Sequence, residues 1–414
     1  MGASKPIYDI VIAGGGMVGS SLALALRPLG LKIAVVEAVA REGSQQPSFD
    51  DRSTALSRSS QKFFEALGLW PVIESSATPI RSIHVSDRGR FGFSHLDAEE
   101  QQVEALGYVV INRVLGEVLQ QSLENATNVA VLCPATITDV QVAADAAVVT
   151  VEDAQGSSHD IQARLVVAAD GARSKVRAMV GLGATHKPYE QFAVIGNLQP
   201  EKPHDNVAYE RFTRTGPIAI LPLAHGRAAF VWTLAPNEAK RVLDLDDAEF
   251  TAELQAAFGY RLGRFSRVGK RAAYPLALSR ADGLFARRSV VIGNAAHGLH
   301  PVAGQGFNLG LRDVAALADC LAEYQERNAA GFDPGDPNLL EDYANWRRSD
   351  QQKLVGFTDN LVKLFGSRNR PLQALRNLGM WGFDLLPGVR GLFARHTMGL
   401  AGRLPRLSRG LPLK

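Results

Sequence analysis

The residues of this chain best suited to chemistry are glycines, acids and arginines placed at the ends of apolar runs. Gly14-x-Gly16-x-x-Gly19 follows the apolar run 7–13 and opens a helical pattern. In such a turn Gly14 permits the tight bend. Gly16 lets a pyrophosphate approach the backbone, and Gly19 lets helix and strand pack closely. The helix reads from Met17 to about Leu29, and Gly30 closes it. A second strand, 32–36, ends at Glu37, where a carboxylate can accept hydrogen bonds from an adenosine ribose. The pattern predicts a dinucleotide-binding βαβ unit and does not separate FAD from NAD.

The stretch 288–314, RSVVIGNAAHGLHPVAGQGFNLGLRDV, carries a second set. A short strand breaks at Gly293-Asn294, runs through a loop rich in Pro and Gly, and enters a helix at about Asn308. A helix N-terminus offers unpaired N–H groups and roughly half a positive charge, so this is a seat for something electron-rich. A third set lies between them. The run 165–169 reads as a buried parallel strand ending at Asp170-Gly171, and ligands of open α/β sheets bind at such carboxyl ends. Asp170 could instead cap the turn before 173–180. Arg52 precedes a helical segment and could be a solvated arginine. Arg113 falls in the first turn of a helix for which Asn112 is the expected N-cap. A cation there is unfavourable unless an anion lies nearby, or unless it is simply exposed. His297 reads as a packing residue and His300 as a cavity wall.

These groups need a scaffold, and the chain is long enough to supply one. Its 414 residues are 46% hydrophobic and 21% charged, as in ordinary globular proteins of two or three domains. A net charge of +3 argues against a nucleic-acid partner. Two distant cysteines give no disulfide framework and no metal site, which fits a reducing compartment. Neither a signal peptide nor a spanning helix is legible. Segment 186–283 loses the βα rhythm and reads as antiparallel strands; 338–365 reads as a surface-packed helix pair. The last thirty residues, from Leu385, hold six Lys/Arg and no Asp/Glu. That tail reads either as a contact with an anionic membrane surface or as a solvated terminus.

The order GGGMVG, AADGARSKVR, GNAAHGLHPVAGQGFNLGLRD resembles the class A flavoprotein aromatic hydroxylases. Within them, the runs YEQFAVIGN, YERFTRTGPIAILPL and KRAAYPLAL resemble the ubiquinone-biosynthesis hydroxylases, most closely the 2-polyprenyl-6-methoxyphenol hydroxylase branch. The resemblance implies an α/β protein of the p-hydroxybenzoate-hydroxylase fold. Residues 1–78, 111–184 and 284–345 would form a Rossmann-type FAD-binding domain. Residues 79–110 and 185–283 would form an inserted antiparallel β-sheet substrate domain, and 346–414 a C-terminal helical region and basic tail.

It also implies roles. Gly14, Gly15, Gly16, Met17, Val18 and Gly19 would hold the FAD pyrophosphate, and Glu37 the ribose. Arg113 would reach the ribityl-phosphate side, and Asp170 would serve FAD and NAD(P)H binding. Pro301, Gly304, Gln305 and Gly306 would form the loop beside the flavin ring, with the Phe307 and Asn308 amides facing its N1–C2=O edge. Arg52, His300 and Pro301 would border the reacting centre. The implied reaction is NAD(P)H- and O2-dependent hydroxylation of a polyprenyl phenol through a flavin C4a-hydroperoxide. The implied setting is cytoplasmic, with peripheral contact at the inner membrane and with other ubiquinone-biosynthesis proteins; a homo-oligomer is open. Three rival readings stand: a hydroxylase of another ring position or phenol, a flavin-dependent reductase, and a non-catalytic FAD-binding assembly member.

One position departs from the general family pattern. Asn294 stands where the family carries an aspartate that accepts a hydrogen bond from the ribityl chain. Asparagine keeps the acceptor oxygen and loses the charge. Asn294→Asp is therefore expected to purify with FAD in parental amount, measured by flavin absorbance per protein; an apoprotein would sink the argument.

Overall fold

The structure is a computed structural model and describes residues 7–40, 52–88, 93–298, 305–366 and 387–413. Its centre is the strand Ile7–Ala13, whose Ile10, Val11 and Ile12 are fully buried. A side chain this apolar contributes about 1.5–3 kcal/mol on burial, so a run of them belongs inside a sheet covered on both faces. That is where it lies, parallel to Ile33–Val36 on one side and to Ser158–Ala168 on the other. Val129–Leu132 extends the parallel sheet beyond Ile33–Val36, and Ser289–Val291 extends it beyond Ser158–Ala168.

Helices cover one face. Met17–Leu26 packs against Gln305–Arg327 and Asn112–Glu124. The other face is covered by antiparallel strands, Ala135–Val142 and Ala147–Asp153, whose Ile137, Val140, Val149 and Val151 fill a second core. The strand Ser158–Ala168 serves both layers. Its first half pairs antiparallel with Ala147–Asp153, and its second half joins the parallel sheet.

A nine-stranded sheet forms the second body. The 17-residue strand Ala184–Pro200 lies between Ala228–Leu234 and Ala272–Ala281, both antiparallel to it. Ser82–Asp87 and Phe93–Asp97 close the far edge, and His297–Gly298 adds to the near edge beside Ala272–Ala281. The helices Pro236–Asp244 and Asp247–Phe258 pack on this sheet through Val242, Phe250 and Leu254. Asp246 caps the second helix by accepting the Glu249 N–H at 2.8 Å. A small sheet of Ser53–Ser57, Gly107–Ile111 and Thr78–Ile80 is hydrogen-bonded to neither and packs against both, through Leu56 and Val110 on one side and Ile80 and Val109 on the other.

Four local expectations change. Asn112 is the first helical residue rather than the cap; Ile111 takes the cap position, and the Asn112 side-chain oxygen accepts from Thr54 Oγ1 at 2.6 Å. The late helix starts at Gln305, three residues before Asn308, because Asn308 is held inside by side-chain bonds described below. Residues 338–365 do not form a helix pair: Pro337–Gly366 is one 30-residue helix. The tail is not simply solvated. Arg406 binds Asp319 through Nε at 2.9 Å and its backbone N–H at 2.8 Å, and Leu407 and Leu413 are buried in the main core. Its many cations concealed that its leucines have a place to go.

His84, on the strand Ser82–Asp87, supplies a pH test. Burial first, then Arg261, with His95 and Arg211 adding, lowers its pKa to about 4 from the ordinary 6.5. The folded chain therefore favours neutral His84 more than the unfolded chain does. Its contribution is complete above pH 6.5 and is lost as pH falls toward 4, by up to about 3 kcal/mol. His84→Phe is expected to flatten the fall in melting temperature across that window, measured by calorimetry; an unchanged pH slope would refute the assignment.

Candidate functional site

Strand register brings the chemistry-bearing segments together. Ala13 stands level with Val36 and with Ala168, and Ala168 with Val291. The residues that follow are Gly14, Glu37, Ala169-Asp170 and Ile292-Gly293. All leave the carboxyl edge of one parallel sheet, where open α/β sheets bind ligands.

The glycine turn is shaped by close approach. Gly14 has φ +98°, and a Cβ there would lie 2.6 Å from the Ala169 carbonyl oxygen. A Cβ on Gly19 would overlap the Gly14 carbonyl oxygen. Only glycine fits either place, and the helix Met17–Leu26 is thereby drawn onto the strand. Gly16, extended at φ −65° and ψ −178°, caps that helix without a side-chain bond, and no acid occupies its first turn. Its leading N–H groups and dipole are left for an external anion, as a pyrophosphate site requires. Val18 faces the late motif: a Cβ on Gly293 would lie 3.1 Å from Val18 Cγ1, and one on Gly310 would lie 3.0 Å from Val18 Cγ2.

Glu37 turns back over the glycine turn. Its Oε2 accepts the Gly15 N–H at 2.6 Å, and its Oε1 the Val39 N–H at 2.8 Å. Asp170 fills the local bonding role weighed for it and lies at the sheet edge named for the other. It stands at the strand end beside Gly14. It also caps the helix Lys175–Met179, accepting from the Ser174 hydroxyl and from the Lys175 and Val176 N–H groups at 2.9 and 3.2 Å.

The late motif contains the most heavily bonded part of the site. Asn294 is exposed between buried Gly293 and Ala295. Gly306, Phe307 and Asn308 lie in the first turn of Gln305–Arg327, which also has no acid. The Asn308 side chain ties this helix to its neighbours. Its Oδ1 accepts the Ser57 N–H at 2.8 Å and the Ser60 hydroxyl at 2.7 Å, and its Nδ2 donates to the Ala55 carbonyl at 2.8 Å.

Asp313, fully buried further along, accepts four bonds. Gly293 N–H at 2.9 Å and His297 Nε2 at 2.6 Å reach Oδ2; Arg347 Nε at 2.7 Å and Gln351 Nε2 at 3.2 Å reach Oδ1. Burial opposes the charged carboxylate, yet His297 and Arg347 outweigh it and hold the group well below the usual carboxylate range. His297 is therefore more than packing. Sequence reading missed Asp313 and Arg347. The signal was an acid inside the apolar run Leu309, Leu311, Val314, Ala315, which had to be paired if that face was buried.

The remaining expected residues are spread out. Arg52 stacks on the exposed Tyr274 ring of the strand Ala272–Ala281, 4.9 Å from guanidinium carbon to ring centre, where the nucleotide body meets the nine-stranded sheet. Arg113 is exposed and paired with Glu117 at 2.9 Å, one turn on. That acid supplies the counter-charge which the helix-dipole argument had assigned to a phosphate. His300, Pro301 and Gly304 lie outside the described residues, as does the Gln305 side chain.

Comparison with known proteins gives a consistent set. The family described as "FAD binding domain" matches residues 7–358. The chain is 37% identical to ubiquinone hydroxylase UbiL of Rhodospirillum rubrum, over all of this chain and 95% of that protein. It is 30% identical to 3-demethoxyubiquinol 3-hydroxylase of Escherichia coli, over 95% of this chain and 98% of that one. Among solved structures, p-nitrophenol 4-monooxygenase PnpA of Pseudomonas putida DLL-E4 superposes with a TM-score of 0.79 at 19% identity. The match covers 97% of this chain and all of that one, and shows the shared fold.

Gly19→Ala tests the turn. The added methyl has no room, and overpacking of this kind costs about 1–3 kcal/mol even where neighbours can yield. The variant is expected to lose FAD on gel filtration. Gly331→Ala, whose methyl would meet nothing within 4 Å, is expected to keep it. Equal flavin content in both would refute the steric reading.

Proposed function

Because the chain belongs to the FAD-binding-domain family, we propose that it hydroxylates the ring of a polyprenylated phenol in ubiquinone biosynthesis, using FAD, O2 and NAD(P)H. The substrate we favour is a 2-polyprenyl-6-methoxyphenol. One observation carries the reading: the glycine turn, Asp170 and the Gly293-Asn294 turn leave the same sheet edge, with the leading turns of Met17–Leu26 and Gln305–Arg327 both free of acids. Two helices without acids in their first turns and a glycine turn that brings backbone close suit a long ligand with a pyrophosphate and a ring that becomes anionic on reduction.

The residues divide the work. Gly14 to Gly19 and the helix after them would hold the pyrophosphate, and Glu37 the adenosine ribose. Asp170 and Asn294 would hold the chain between ribose and ring. The amides at the start of Gln305–Arg327, Phe307 and Asn308 among them, would stabilise negative charge at the ring edge. FAD, when bound, supplies the activation of oxygen, which no side chain here can perform. Arg52, braced on Tyr274 at the nine-stranded sheet, would border the phenol.

A polyprenyl substrate partitions into a bilayer. Among the described residues no helix is long and apolar enough to cross one. Peripheral contact at the membrane is the reading that suits both facts. Removing everything after Leu385 would not isolate that contact, since Leu407 and Leu413 belong to the core.

The test is complementation of strains each blocked at one ring hydroxylation, with the accumulated quinone precursor identified by mass spectrometry. Rescue at a ring position, with O2 consumed by the purified holoenzyme, is the expected result. NAD(P)H oxidation without O2 uptake would instead indicate a reductase, and a flavoprotein rescuing no strain would indicate an assembly role.

A further inference from the structure

We propose that Asp313 is a positioning residue that sets the flavin seat against the substrate sheet. The inference rests on the flavin reading above. Asp313 Oδ2 holds two backbone segments at once. Through the Gly293 N–H at 2.9 Å it fixes the turn that presents Asn294. Through His297 Nε2 at 2.6 Å it fixes the edge strand His297–Gly298. That strand pairs directly with the nine-stranded sheet, Arg280 opposite His297 and Ser279 opposite Gly298. The Ala281 N–H also reaches the Ala296 carbonyl at 2.8 Å. One oxygen atom thus spans from the nucleotide edge to the sheet that would carry the substrate, across only the residues 293–298.

The surroundings make this clamp rigid. A carboxylate has about four lone-pair sites, and Gly293, His297, Arg347 and Gln351 occupy all four. Because the ionised group only accepts, Nε2 of His297 must carry a proton. Arg347, 1% exposed, bonds Asp313 on one side and Asp350 on the other, and Asp350 in turn binds Arg312 at 2.9 Å. Gly293 itself stands at φ +57°, a conformation open to glycine, so its N–H is presented to Asp313 without backbone strain. Removing the acceptor would leave a buried N–H and a buried imidazole unsatisfied, and both segments free to shift.

The test compares Asp313→Asn with the parent holoenzyme. An amide presents donors on one side, so it faces either the Gly293–His297 pair or Arg347 with the wrong polarity. The apoprotein is titrated with FAD, and hydrogen–deuterium exchange is followed in a peptide covering 289–298 and in one covering 7–13 as internal reference. Affinity is expected to fall about tenfold or more, as losing a buried hydrogen bond to a charged group allows. Exchange should rise in 289–298 and not in 7–13.

Should that variant fail to fold, Arg347→Lys carries the test. It keeps the charge without the guanidinium geometry, and the same two readouts should move by smaller factors. Parental FAD affinity and exchange in either folded variant would overturn the proposal. So would exchange rising equally in both peptides, or the failure of both variants to fold, since Asp313 would then serve stability alone. Failure of the flavin reading is distinguishable: the parent apoprotein would itself take up no FAD.

Discussion

Four parallel strands that end level are the constraint on which this molecule depends. Ile33–Val36, Ser289–Val291 and the last four residues of Ile7–Ala13 and Ser158–Ala168 are buried on both faces, and their ladders place Val36, Ala13, Ala168 and Val291 side by side. A slip of one residue in any of them would turn its side chains to the opposite face. Ile10 and Ile12 belong to the helix-covered core, and Val11 and Ala13 to the core beneath the antiparallel layer, so the two faces are filled by different partners. The register is therefore set by packing, and packing delivers Gly14, Glu37, Asp170 and Gly293 to one edge.

Two kinds of chemistry meet at that edge, and they are built in opposite ways. The glycine turn works by omission: no Cβ at Gly14 or Gly19, no side-chain cap at Gly16, no acid in the following turn. Its polar capacity is left to a ligand. The late motif is saturated from within. Asn308 makes three short bonds to the segment 55–60, and Asp313 accepts four. A buried carboxylate without partners would cost several kcal/mol, so Arg347 and His297 are required rather than ornamental. One half is shaped by what it leaves out, the other by bonds that it makes within itself.

The same logic explains the C-terminal segment. Its cations suggest a solvated tail, but Arg406 closes on Asp319 while Leu407 and Leu413 join the main core. The Ser59 N–H bonds the Met398 carbonyl at 3.1 Å, which places this segment against the helix Arg58–Ala66 behind the site. The tail is part of the wall that supports the late helix. The nine-stranded sheet is joined to the nucleotide body at narrow places, among them the pairing of His297–Gly298 with Ala272–Ala281 and the stacking of Arg52 on Tyr274.

What the sequence determined by itself was local and periodic. Apolar runs of strand length, glycines at a spacing that forces a tight turn, and an acid at the end of the second strand are all readable within about thirty residues, because the physics acts between near neighbours. The nucleotide-binding unit, the antiparallel character of 186–283 and the family resemblance followed from those. Tertiary structure alone decided which polar groups find each other. Asp313 reads as one more charge on a helix until Gly293, His297 and Arg347 surround it. Arg113 reads as a cation awaiting a phosphate until Glu117 is seen beside it, and the basic tail reads as loose until Asp319 and the core receive it. Each depends on partners brought close by folding, and a buried charge declares its need for a partner without naming which residue will meet it.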